Sequence, residues 1–135
     1  MTTMTTTATR FATSADGTAI AYDVTGTGPA LVIVEGALCQ RSMGTAQVLK
    51  DSLSSDFSVV AYDRRGRGET GPGASSYDVQ REVEDLIAVL TAAGGDAYVL
   101  GTSSGGALAL ETARQGVPMR ALAVYEAPFI VDLVE

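Results

Sequence analysis

The chain has 135 residues, 46% hydrophobic and 19% charged, which suits one compact domain with a real core and is too short for two. Its net charge of -7 repels phosphate backbones and anionic bilayers, so nucleic acid and membrane are not expected partners. There is one cysteine, Cys39, so no internal disulfide, and no histidine, the usual general base at neutral pH and the commonest ligand of catalytic zinc.

Met1 to Arg10 is threonine-rich, lacks the basic-then-apolar layout of a signal peptide, and is expected to form a flexible tail. No apolar run approaches the ~20 residues needed to span a bilayer, so a cytoplasmic location is the default. Arg10 to Ala15 and Thr18 to Val24 predict two strands of a hairpin, joined at Asp16-Gly17. Ala30-Leu31-Val32-Ile33-Val34 reads as a strand buried on both faces of a parallel sheet. Gln40 to Asp51 predicts a helix, with Ala46, Leu49 and Leu53 at helical spacing. Phe57 to Tyr62 is another buried-type strand, followed by a glycine- and arginine-rich loop from Arg64 to Gly73.

Ser75-Ser76-Tyr77-Asp78 fits a capping box. The helix it opens carries Val79, Val83, Leu86, Ile87 and Leu90 as one stripe and ends at Gly94-Gly95. Ala97 to Leu100 predicts a strand, and Gly106 to Gln115 a helix stopped by Gly116-Val117-Pro118. Ala121 to Tyr125 predicts the last strand. This alternation implies an α/β fold with three α/β/α layers and a mostly parallel sheet of about six strands.

Gly101-Thr102-Ser103-Ser104-Gly105 is a Gly-x-Ser-x-Gly pattern between a predicted strand and a predicted helix. A serine at the tip of such a turn is held in a strained backbone conformation, and small neighbours relieve the crowding. The following helix points its N-terminus at the site, where its dipole and free N–H groups favour an oxyanion. The bland alternative is a glycine-rich turn whose serine only caps the helix.

Four stretches together resemble the α/β-hydrolase fold over nearly the whole chain. Leu31 to Cys39 is similar to its third strand and oxyanion loop. Tyr62 to Glu69 is similar to the loop after its fourth strand, and Leu100 to Gly106 to its nucleophile elbow. Ala123 to Pro128 is similar to the end of its sixth strand. The resemblance implies a serine hydrolase, esterase-like, with Ser103 as nucleophile and the backbone N–H groups of Ser104 and Ala37 as oxyanion donors. It implies a small acyl substrate, no cofactor and no metal. Glu126, after the sixth strand, is a candidate acid, with a structural role beside Pro128 preferred.

The resemblance also has gaps. Glu35-Gly36 stands where the family usually has His-Gly, and Glu35 is expected to face solvent or pair with an arginine. The triad acid and histidine of relatives follow strands beyond the sixth. Residues 11–135 are therefore expected to be an amino-terminal portion, without lid and last strands, inactive or nearly so. The alternatives are a half-enzyme completed by a partner chain and a non-catalytic binding module. The family strand order, 1-2-4-3-5-6, would leave the sixth strand as an open edge, and self-association is expected there. Among lesser candidates, Arg64-Arg65-Gly66-Arg67 could hold a phosphate or carboxylate, with Asp63 and Glu69 as local neutralisers. Cys39 reads as a small buried residue or a reactive thiol, and the apolar run Phe129 to Val134 as a sticky segment.

Overall fold

The computed structural model describes residues 7–128. Most of the expected tail, residues 1–6, and the apolar run 129–134 lie outside them. Nine elements follow in the order β1 (Arg10–Thr13), β2 (Ala19–Thr25), β3 (Ala30–Val34), α1 (Thr45–Leu53), β4 (Ser58–Tyr62), α2 (Val79–Ala92), β5 (Tyr98–Thr102), α3 (Ser104–Arg114) and β6 (Ala121–Tyr125). One six-stranded sheet runs β1-β2-β4-β3-β5-β6. β3, β4, β5 and β6 are mutually parallel, and the β1–β2 hairpin joins β4 antiparallel. At the hairpin tip Gly17 takes φ 85°, and the Asp16 carboxylate accepts from the Thr18 N–H at 3.0 Å.

The two faces of the sheet sort by residue parity, as pleated strands require. Val32, Val34, Val60 and Tyr62 face α2 and α3, packing on Val83, Leu86, Val89, Leu108 and Ala109. Leu31, Ile33, Val59 and Ala61 face α1, packing on Ala46, Leu49, Leu53 and Phe57. Each fully buried Val, Ile or Leu contributes about 1.5–3 kcal/mol. Among the described residues β6 pairs only with β5, and on the side of the sheet that carries α1 it exposes Ala121, Ala123 and Tyr125. No helix among them is long and apolar enough to cross a membrane.

Helix starts depart from the sequence reading. α1 begins at Thr45 rather than Gln40, because the preceding loop is tied down elsewhere. The Arg41 N–H donates to Asp63 at 2.8 Å, and Gly44, at φ 75°, turns the chain into the helix. α2 is capped by Asp78 alone, which accepts from the Gln80 N–H at 2.7 Å, so no box opens at Ser75. Val79 consequently sits on the first turn and is exposed rather than part of the core stripe. α3 starts directly after Ser103, two residues before Gly106. Residues 7–9 of the expected tail reach the body: Thr9 Oγ1 accepts from Arg41 at 2.6 Å.

Candidate active site

Ser103 sits between β5 and α3 with φ 51° and ψ -128°, a conformation that costs a non-glycine residue about 1–3 kcal/mol. The surrounding backbone imposes it. The Ser103 N–H donates to the Tyr125 carbonyl at the end of β6 at 2.9 Å, while its own carbonyl accepts from the Gly106 N–H at 2.9 Å. Three glycines let α3 approach the sheet. A Cβ on Gly101 would meet the Gly106 backbone, one on Gly105 the carbonyls of Val34 and Glu35, and one on Gly106 the Val124 side chain at 2.7 Å. Ser103 itself is exposed.

The loop after β3 comes to the same point. A Cβ on Gly36 would stand 3.4 Å from Ser103 Cβ and 3.9 Å from Ser103 Oγ, so this backbone lies against the serine. Ala37, next in the loop, is exposed, and its carbonyl accepts from Arg67 Nε at 2.7 Å. Ser104 opens α3, where N–H groups have no acceptor within the helix, and its hydroxyl accepts from Arg64 at 2.9 Å. The structure thus brings together Ser103, Ser104 and the Gly36–Ala37 backbone. Glu126 follows Tyr125, which places its backbone near that of Ser103; its side chain is exposed and its φ is 50°.

Glu35 corrects an expectation, since it neither faces solvent nor pairs with an arginine side chain. It is 1% exposed, and its Oε1 accepts the Ala46 N–H at the start of α1, supplying the cap that Gly44 cannot. A carboxylate there also suits the positive end of the helix dipole. Burial pushes its pKa up, against the lowering effect of the Ala46 N–H. Cys39 is half-buried next to this group, and burial followed by the Glu35 charge raises its thiol pKa, which favours the inert form.

The arginine loop is corrected too. Arg64 and Arg65 are buried, and their guanidinium groups pair with carboxylates other than Asp63 and Glu69. Arg65 is held bidentately by Asp85, at 2.9 and 2.8 Å, and by Asp16, at 2.7 and 3.2 Å. Arg64 grips Glu82 through Nε and Nη2 at 2.8 Å each. Burial opposes the charge of Arg64, but the Glu82 bonds outweigh it and raise its pKa. Asp63 and Glu69 pair instead with Arg41, which also contacts Asp23. Lys50, buried beside it, donates to the Arg41 carbonyl at 2.9 Å and pairs with Asp23. Arg41, Lys50, Asp23, Glu82 and Asp85 were missed as site-building residues. Glu82 and Asp85 left one trace, being charges interleaved with Val83 and Leu86 on the buried stripe of α2.

Two cavities flank α2. One of about 230 Å3 opens between Arg64, Tyr77, Glu82, Ser104 and Ala107, beside the elbow. The other, about 470 Å3, is an apolar groove between β1 and α2 that touches none of the candidate residues.

A model described as the alpha/beta hydrolase family matches residues 36–134. The chain belongs to that family. An alpha/beta hydrolase from Sphaerobacter thermophilus is 46% identical with a TM-score of 0.86, the match covering 92% of this chain and 47% of the other. An esterase from a Rhodococcus species is 35% identical with a TM-score of 0.75, covering 86% and 44%. An epoxide hydrolase from Vigna radiata, 22% identical with a TM-score of 0.81 and covering 92% and 41%, shares the fold. The chain thus spans a little under half the length of these solved proteins.

Proposed function

We propose that this chain carries the nucleophile half of a serine-hydrolase site acting on carboxylic esters or related acyl substrates. The reading rests on one observation above all: an exposed serine at φ 51° on a strand–helix turn, with Gly36 so close that a Cβ there would touch its side chain. Ser103 Oγ attacks the acyl carbon, and the carbonyl oxygen becomes an oxyanion that the N–H groups of Ala37 and Ser104 receive. The alkoxide then leaves with a proton, giving an acyl-serine that water hydrolyses. The serine proton needs an acceptor, and these 135 residues contain no histidine. The reading therefore needs a base other than a histidine of these residues, with Glu126 as the in-chain candidate to orient it. The esterase at 35% identity supports ester chemistry. Serine, rather than aspartate, at the elbow speaks against epoxide opening by family analogy.

Exposure of the chain to a fluorophosphonate tests this. A phosphorus–oxygen bond to Ser103 forms as fluoride leaves, and the hydroxyl proton passes to the available base. Labelling mapped by mass is expected to be slow alone, faster with added imidazole, and absent in Ser103→Ala. Rapid labelling without imidazole would overturn the missing base. No label at Ser103 under either condition would overturn the nucleophile.

A further inference from the structure

We infer that Arg64, gripped by Glu82 and assisted by Arg67, is a positioning residue that fixes the two candidate oxyanion donors relative to each other. The inference rests on the reading of Ser103, Ala37 and Ser104 given above. A single nitrogen, Arg64 Nη1, donates to the Glu35 carbonyl at 3.1 Å and to the Ser104 hydroxyl at 2.9 Å. One group therefore joins the residue before Gly36 to the residue after Ser103. The guanidinium cannot swivel, because its Nε and Nη2 hold both oxygens of Glu82. Glu82 is in turn fixed by the Tyr77 hydroxyl at 2.6 Å and lies 3.5 Å from Arg67 Nη1.

Arg67 completes the clamp by donating to the Ala37 carbonyl at 2.7 Å. The peptide carrying the Ala37 N–H lies between the Glu35 and Ala37 carbonyls, and each of these is held by an arginine on the same glutamate. Holding the peptides on both sides sets the direction of the N–H between them. Arg64 and Glu82 are 6% and 2% exposed, so water does not compete for these bonds. Arg64 touches no reacting atom and acts through Ala37 and Ser104.

Deleting an oxyanion donor costs about 10²–10³ in rate, and a donor left in place but loosened is expected to cost about tenfold. Arg64→Lys keeps a cation near Glu82 but loses the planar fork. In the imidazole-supplemented fluorophosphonate assay it is expected to label Ser103 about tenfold more slowly than the parent. In a Ser103→Cys background, iodoacetamide forms a sulfur–carbon bond with loss of iodide and develops no oxyanion. That alkylation, mapped apart from Cys39, is expected to be unchanged by Arg64→Lys. Equal slowing in both reactions, or in neither, would overturn the positioning role.

Backbone ¹⁵N relaxation of Gly36 to Leu38 reads the clamp without chemistry. These residues are expected to gain mobility in Arg64→Lys even if Ser103 never labels, and unchanged relaxation would overturn the clamp by itself. Should Arg64→Lys fail to fold, Arg67→Ala provides the same comparison. Its parent side chain is 26% exposed, and the variant loses the Ala37 carbonyl bond without stranding a buried charge.

Discussion

Alanine at Gly101 would push a methyl group into the first turn of α3. The new Cβ would lie 2.6 Å from Gly106 Cα, 2.7 Å from the Gly105 carbonyl oxygen and 2.9 Å from Gly106 N. Carbon contacts are comfortable at about 3.5–4.0 Å, so the turn must retreat by roughly 1 Å. All three obstacles are backbone atoms, and no rotamer change relieves them. Overpacking costs about 1–3 kcal/mol, and a purely main-chain clash belongs at the upper end, about 3 kcal/mol. At roughly 3–5 °C per kcal/mol for a domain of this size, the melting temperature is expected to fall by about 10 °C. Gly71→Ala is the matched reference, with no atom within 4 Å of the new methyl group and no left-handed φ. It is expected to melt at or slightly above the parent temperature, since it restricts the unfolded chain. Thermal melts followed by circular dichroism give both numbers. A Gly101→Ala chain melting within about 2 °C of the parent would refute the close approach of α3 to β5, and with it the steric account of the elbow glycines.

Two further outcomes follow from the buried charges. Burial raises the Glu35 pKa above its ordinary value of 4.5, so between that value and the folded one the native state holds the extra proton. Stability from this group is therefore highest below pH 4.5 and declines as pH rises through the folded value. Glu35→Gln keeps an acceptor for the Ala46 N–H and removes that decline; melting curves across pH that stay parallel for variant and parent would contradict it. Asp85→Ala strips Arg65 of one of its two bidentate partners inside the protein, and urea unfolding is expected to show a loss of about 3 kcal/mol. A loss under about 1 kcal/mol would mean that Asp16 alone satisfies the guanidinium.

Local pattern made the strands and the elbow legible. Ala30–Val34 and Ala121–Tyr125 end where their apolar runs end, and Gly101, Gly105 and Gly106 are small because backbone atoms of other elements press on them. Helix starts were less legible, because α1 is capped from Glu35, eleven residues away, rather than by a neighbour. The ion pairs were the least legible. Arg65 meets Asp85, twenty positions later, and Asp16, forty-nine positions earlier, because the sheet and α2 carry all three to one place. Proximity in sequence suggested Asp63 and Glu69 for the arginine loop, but those carboxylates lie toward Arg41. Glu35 was misjudged for a related reason: a charge at the end of a buried strand looks solvent-bound unless the N-terminus of a helix in need of an acceptor is known to lie beside it.

The run Arg64-Arg65-Gly66-Arg67 looks like a cationic landing place when read as letters, yet two of its three arginines are buried. Of the chain's nine cations, Arg41, Lys50, Arg64 and Arg65 are buried, paired with the buried Asp23, Asp63, Glu82 and Asp85 and with Asp16 and Glu69 nearer the surface. Among the described residues the buried charges come close to balancing, so most of their acid excess is on the outside and their long-range field is that of an anion. A charged small molecule approaching these residues feels that field more strongly in dilute buffer than at physiological salt.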